Sequence, residues 1–486
     1  MAKNQKKPHA IVIPLPFQGH ITPYTNLALK LAKKGLIVTF VHFEFIHLKI
    51  SKASNHNKDT TDQIDDVDFF SEARKSGLDI RYVTINDGIP KELDRDLNFP
   101  IFWNLLVHEL EARFDEFIGK MLQSDPGSAY FLLADPTFVW PAAVADKYKL
   151  VNVAFSTQAA SVFNLAYHWD LLKEKGHLPS KDSKDVKIDY IPGVESISIK
   201  DLMMYLDPQS LVAEGLFIAF TNNKKADFIL HNTAEELESG ALSALNKYHQ
   251  PNYAVGPTNF FKNIATNTVS KTFWRQTDCM SWLDSKPPCS VLYVSFGSLV
   301  ETSKQVIDEV AYGLLHSEVN FVWIVREGVL GSYDGNVLPV GFEDEVKGRG
   351  IIIPWCDQIR VLSDRAVGAF LTHNGWNSTL ESMWCGVPMI CYPLEYDQTT
   401  NAKFVVEDWK IGIRLCDHGK SLDRNEISEK IKSFMNGVTL NGFRQEAENV
   451  KGKLENALEI DGSSEKNIDR FINDLKEKLQ VTAIDK

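Results

Sequence analysis

Two residues of the N-terminal half have types and settings suited to moving a proton. His20 stands in Phe17-Gln18-Gly19-His20-Ile21-Thr22-Pro23, directly after an apolar run and a glycine turn, and just before a helical pattern. That setting is the carboxyl end of a strand, where a near-neutral imidazole can take a proton from a hydroxyl. Asp135 closes Leu132-Leu133-Ala134-Asp135, again at the end of an apolar run. A buried carboxylate bonded to an imidazole fixes its tautomer and stabilises the imidazolium that forms. Either residue alone is more often structural; the pair points to general-base chemistry.

A second group lies between Trp355 and Gln398. It contains Trp355, Cys356, Gln358, His373-Asn374-Gly375-Trp376-Asn377-Ser378-Thr379, Glu381 and Asp397-Gln398. The run Val367 to Thr372 reads as a strand ending in a His-Asn-Gly turn, with a helix beginning near Asn377. Exposed N–H groups and the positive end of a helix dipole make such a junction an anion site. His373, Asn377 and Ser378 add side-chain donors for a diphosphate. Glu381 follows about one turn later, where a carboxylate can bind a ribose diol, and Trp355 offers a flat face for a base. The set describes a nucleotide pocket at the carboxyl ends of parallel strands. Each aromatic alone fits a core position, and His373 alone fits a turn; the ordered set carries the reading. Ser295-Phe296-Gly297-Ser298 closes another strand and, beside this block, reads as a phosphate loop.

The Trp355–Gln398 block resembles the donor-binding signature of plant secondary-product UDP-glycosyltransferases, and the similarity extends over nearly the whole chain. The resemblance implies an inverting enzyme of the GT-B fold that uses a UDP-sugar as co-substrate, with no cofactor and no metal. By it, Trp355 stacks on uracil, while Cys356 (through its backbone) and Gln358 contact base and ribose. Glu381 holds the ribose hydroxyls, and His373, Asn377, Ser378 and Ser298 hold the diphosphate. Trp376, Asp397 and Gln398 bind sugar hydroxyls, the terminal Gln being associated with glucose more than galactose; Thr157 matches a position that touches the sugar. The same two positions, His20 and Asp135, carry catalysis in the family. This sequence departs from the pattern at Asp357, where proline is usual, at Asp364-Arg365, where His-Pro is usual, and at Glu395-Tyr396.

These residues need elements to position them. Apolar runs at His9 to Leu15, Leu36 to His42, Ile80 to Ile85, Tyr130 to Ala134 and Val151 to Phe155 alternate with helix-length segments such as Ile101 to Leu122. The alternation restarts with Ser290 to Phe296, Lys304 to Leu315, Phe321 to Val325, Gly350 to Ile353 and Val367 to Thr372. Strands alternating with helices predict parallel sheets covered on both faces. The fold class is therefore α/β, as two facing Rossmann-like domains with a cleft between them. Residues 1–250 form the acceptor-binding domain, 251–463 the UDP-sugar domain, and a last helix over 464–486 packs back across the first. Gln250 to Thr258, with two prolines and a glycine, reads as the crossing; Ser51 to Asp68 is polar and reads as a loop. Helices are expected over Asp423 to Met435, Phe443 to Leu458 and Ser464 to Leu479.

Bulk properties narrow the partners. The 486 residues carry a net charge of −12, which argues against a nucleic-acid surface. No apolar stretch reaches membrane-span length, and the six cysteines form no C-x-x-C pair. The basic N-terminus before Ile11 lacks a cleavage site, so its apolar run reads as a strand and not a leader. A cytoplasmic monomer with free thiols is expected. There is no G-x-S-x-G, G-x-G-x-x-G or H-E-x-x-H, and Gly419-Lys420-Ser421 lacks a P-loop's leading glycine. Asp66-Val67-Asp68 and Asp94-Arg95-Asp96 read as solvated charge. The expected partners are UDP-glucose and a small lipophilic acceptor (terpenoid, flavonoid or other phenolic), lined by residues from Phe99, Phe102, Trp103, Phe138, Phe163 and Tyr167. The alternatives are a catalytically silent UDP-sugar-binding protein and a hydrolase that gives the sugar to water.

Overall fold

A computed structural model describes residues 7–54, 69–90, 93, 95, 98–178, 186–203, 206–207, 210–248, 250–262, 272–331, 335–417 and 420–484. Most of the polar Ser51–Asp68 segment, both aspartate pairs of the D-x-D triplets and Gly419 lie outside these residues. Among those described, the strands are β1 (Pro8–Ile13), β2 (Ile37–Phe43), β3 (Ile80–Ile85), β4 (Ala129–Ala134), β5 (Val151–Ser156), β6 (Lys187–Ile188), β7 (Ile197–Ser198), β8 (Phe228–His231) and β9 (Asn252–Ala254), followed by β10 (Val291–Ser295), β11 (Asn320–Ile324), β12 (Gly350–Ile353), β13 (Val367–Thr372), β14 (Met389–Cys391) and β15 (Gly412–Arg414).

They build two parallel sheets, ordered β3-β2-β1-β4-β5-β8-β9 and β12-β11-β10-β13-β14-β15, with β6 and β7 as a separate antiparallel pair. The central strands β1, β10 and β13 are buried along their whole length. Helices on both faces of a sheet leave no solvated side, which is why these strands read as unbroken apolar runs. Each sheet reverses its winding once, between β1 and β4 in the first and between β10 and β13 in the second. Loops diverge at such switch points and leave a crevice at the carboxyl ends of the strands.

Several boundaries differ from the sequence reading. The segment expected to cross between domains supplies β9, which pairs with β8, so the first sheet continues past residue 250. The single helix expected over Ile101 to Leu122 is two, Phe99–His108 and Leu110–Ser124, parted at Glu109. The helix expected from Phe443 starts at Gly437, where the Asn436 side chain accepts from the Val438 N–H and supplies the cap.

The final helix, Ser463–Ile484, returns to the first sheet. Ser464 Oγ donates to the Gly256 carbonyl at 2.6 Å and Asn467 Nδ2 to the Ala254 carbonyl at 3.0 Å. Phe471 packs edge-on against Phe228 and Tyr253, and Glu465 pairs with Lys30.

Candidate active site

The switch point of the first sheet sets the proton-transfer pair. Ile13 of β1 is in register with Ala134 of β4, so the loops after them run side by side. One carries His20 into the Gln18–Lys33 helix; the other places Asp135 at once. His20 Nδ1 lies 2.7 Å from Asp135 Oδ2, and that carboxylate is fully buried. Asp135 Oδ1 accepts the Thr137 N–H at 3.0 Å, which stops the side chain turning. The nitrogen beside a carboxylate carries the proton; Nε2 is left as the acceptor, on a side chain 20% exposed that lines the cleft. Thr157 Oγ1 stands 3.0 Å from the same Nδ1.

The second sheet repeats the construction. Ser295 of β10 is in register with Thr372 of β13, which brings Gly297-Ser298 beside the His373 turn. A side chain on Gly297 would strike the His373 ring at 2.3 Å, and one on Gly375 would meet it at 2.6 Å. Gly297 also sits at φ +81, in the region that favours glycine. The imidazole is therefore wedged between two glycines. Burial, with the Arg326 charge, pushes its pKa down to about 4, so it is a neutral ring at physiological pH. Asn377 and Ser378 follow in the first turn of the Trp376–Trp384 helix, whose leading N–H groups have no helical partners.

The two halves touch at these turns. Asn377 Nδ2 donates to the Gly19 carbonyl at 2.7 Å, next to His20 in the chain. That carbonyl is free because the residue four positions on is Pro23, which has no N–H to give it. The Trp376 indole N–H donates to the Asn232 carbonyl at 2.8 Å, just beyond β8. Its backbone N–H, not its ring, is what remains for a ligand.

Between the sheets lies a cleft of about 810 Å³. His20, Thr157, Ser298, Trp355, Cys356, Gln358, His373, Trp376, Asn377, Ser378, Glu381, Asp397 and Gln398 all reach its wall, so every residue expected to contact the donor faces one cavity. Gln358 bridges two of these groups and Tyr293: its Nε2 donates to Glu381 Oε2 at 2.7 Å and to Ser378 Oγ at 3.1 Å, and its Oε1 accepts from Tyr293. Gln398 Oε1 accepts two backbone N–H groups, of Leu394 and Glu395, each at 2.9 Å. Its amino end stays free of those bonds. Burial raises the Asp397 carboxyl, a rise that the Asn401 bond and the His20 ring oppose. Asp357, which stands where proline is usual, caps the Gln358–Leu362 helix by accepting the Arg360 N–H.

The apolar lining differs from expectation. Phe102, Phe138 and Phe163 are buried in the first domain's core and do not reach the cleft. Phe102 packs on Phe45 and Phe17, Phe138 on Phe114 and Trp140, and Phe163 on Phe220 and His231. Of the expected lining Phe99 and Trp103 do reach the wall, where they are joined by Leu15, Phe17, Val212 and Leu216. Phe99 and Trp103 are four apart on one helix, and their stacked rings (6.0 Å) form a single face. That spacing was visible in the sequence. Nothing there marked Val212 and Leu216, just before and on the Ala213–Asn223 helix, as lining the same cleft as Phe99.

A family model described as UDP-glucoronosyl and UDP-glucosyl transferase matches residues 268–438, the stretch that holds the His373 turn and Glu381. UDP-glycosyltransferase 86A1 of Arabidopsis thaliana is 44% identical over 485 residues, covering 98% of this chain and 96% of its own. The chain belongs to the plant UDP-glycosyltransferase family. It is also 32% identical, over 97% of both chains, to the 7-deoxyloganetin glucosyltransferase of Catharanthus roseus. Among solved structures it is similar to a UDP-glucosyltransferase from Polygonum tinctorium capable of glucosylating indoxyl, in complex with 3,4-dichloroaniline. That likeness has 26% identity and a TM-score of 0.75, and covers 98% of this chain and 99% of the other. The two facing parallel sheets are thus the GT-B arrangement, and the protein is a glycosyltransferase.

Proposed function

We propose that this glycosyltransferase moves glucose from UDP-glucose to a hydroxyl of a small lipophilic acceptor, with inversion and without a metal. The observation that carries the proposal is the juxtaposition of the His20–Asp135 pair with the His373–Ser378 turn, bridged at Gly19 by Asn377.

In this reading Trp355 stacks on uracil, Cys356 meets the base through its backbone, and Gln358 and Glu381 hold the ribose. Ser298, His373, Asn377 and Ser378 hold the diphosphate; Thr157, Trp376, Asp397 and Gln398 meet the sugar. His20 Nε2 takes the acceptor's hydroxyl proton as the oxygen attacks the anomeric carbon, and the bond from that carbon to the UDP oxygen breaks. Asp135 stabilises the imidazolium that results. Charge growing on the departing diphosphate meets the helix start and a neutral His373 N–H, groups that need no rearrangement to receive it. Relatives named as glucosyltransferases favour glucose. The apolar wall from Phe17 to Leu216 favours a neutral, lipophilic acceptor such as a terpenoid or phenol. All six cysteines are free thiols and no described helix is long and apolar enough to cross a membrane, which fits the cytoplasm.

The test incubates the protein with UDP-glucose or UDP-galactose and a panel of phenols and terpenoid alcohols. Mass spectrometry should find a glucoside, with β configuration by NMR. Free glucose without glycoside would mean a hydrolase, and bound but unconsumed UDP-glucose a silent binding protein.

A further inference from the structure

Glu381 holds a carboxylate at the cleft wall, and its partners are arranged as a chain. Asn259 Nδ2 donates to Glu381 Oε1 at 2.8 Å, while Gln358 Nε2 donates to the other oxygen. Asn259 Oδ1 in turn accepts from Asn26 Nδ2 at 2.8 Å. Asn26 is buried in the Gln18–Lys33 helix that carries His20, and all three residues line the cleft. The amide of Asn259 has only one workable orientation. Its amino group must face the carboxylate, which accepts only, and its carbonyl must face the amino group of Asn26. A carboxylate has about four acceptor positions; two are taken, and the rest remain for a diol.

We propose that Asn259 is a positioning residue for donor binding, orienting the Glu381 carboxylate toward the ribose and tying it through Asn26 to the His20 helix. This rests on the reading of Glu381 as the ribose ligand. A ribose diol donates to a carboxylate, so the ionised form is the one that binds. Burial raises the Glu381 pKa to about 7, and the bonds from Gln358 and Asn259 hold it from rising further. The titratable groups facing it are Asp357, Cys356 and Tyr293 from the second sheet and its loops, and Cys385 beyond its own helix. The thiols are pushed up to about 12 at Cys356 and about 11 at Cys385, and Tyr293 well above its usual value, so none of these three loses a proton near neutrality.

The experiment is UDP titration calorimetry between about pH 6 and pH 8.5 on the wild type, Asn259→Leu, Asn259→Ser and Glu381→Gln, with thermal unfolding of each. UDP titrates identically throughout, so differences between variants report the protein. Wild-type affinity should fall as pH drops through about 7. Asn259→Leu should move that midpoint up by about one pH unit and weaken UDP roughly tenfold at neutral pH, raising the donor KM with kcat unchanged. Asn259→Ser, a gentler change, should move both in the same direction and carries the test should the leucine variant not fold. A lowered unfolding temperature with an unmoved midpoint would make Asn259 merely structural and overturn the proposal. Glu381→Gln should weaken UDP and flatten the pH dependence. Undiminished affinity in that variant would instead sink the ribose reading beneath it.

Discussion

The proposed proton transfer depends on a single nitrogen, His20 Nε2, being unprotonated and aimed into the cleft. Asp135 secures that by holding the proton on Nδ1 at 2.7 Å. A positioned base contributes about 10²–10⁴-fold, so His20→Ala should lower kcat by that order with UDP affinity unchanged, as calorimetry would read. Asp135→Asn should also be slow, because an amide can donate to Nδ1 and drive the proton onto Nε2. Turnover at the wild-type rate by His20→Ala would remove His20 as the base; the same result for Asp135→Asn would remove Asp135 as the residue that sets its tautomer. At this scale the sequence was most informative where chemistry forces a residue type into an ordered block, as at Trp355, His373 and Glu381. It was least informative where only packing decides. Phe102 and Phe99 are alike in composition, yet one faces Phe45 in the core and the other the cleft. Asn26 and Asn259 carry no motif at all; only the fold brings them within 2.8 Å.

At the scale of elements, the start of the Gln18–Lys33 helix is built around a missing hydrogen bond. Pro23 sits where a helix interior would normally reject it, at a cost of about 3 kcal/mol. What the helix loses, the Gly19 carbonyl offers to Asn377 across the cleft. Pro23→Ala should restore an N–H that competes for this carbonyl. The unfolding temperature should hold or rise, while kcat falls several-fold as the Asn377 amide loses its acceptor. Equal stability with undiminished kcat would show that the bond across the cleft is incidental. The long parallel strands of both sheets were legible because burial on two faces leaves a continuous apolar run. The short β8, β14 and β15 were not, since a segment of three or four residues fits a strand and a helix turn equally. The break at Glu109 was likewise unmarked, lacking any Gly or Pro.

For the whole molecule, the last helix joins the end of the chain to the sheet with which it begins. Its amphipathic pattern announced a surface to bury against, and the sequence reading set it across the first domain; its contacts run to β9, Lys30 and Lys34. Ile468, Phe471, Ile472 and Leu475 are all buried in that contact. At about 1.5–3 kcal/mol for each large apolar side chain removed from water, the four together rival the 5–15 kcal/mol that typically holds a folded protein. Removing residues 463–486 should therefore leave the first domain unable to fold. A single truncation is the more instructive case. Phe471 contacts Phe228 of β8 and Tyr253 of β9, so Phe471→Ala opens a cavity against the sheet edge that carries the first domain's last strands. The expected loss is about 3–5 kcal/mol, read as a lower thermal midpoint. UDP affinity measured below that midpoint should be unchanged, because the proposed donor residues other than Thr157 follow strands of the second sheet. A variant as stable as the wild type would mean the helix rests on its polar contacts, Asn467 with the end of β9, Ser464 with the chain just after it, and the lysine pairs, and not on its apolar face.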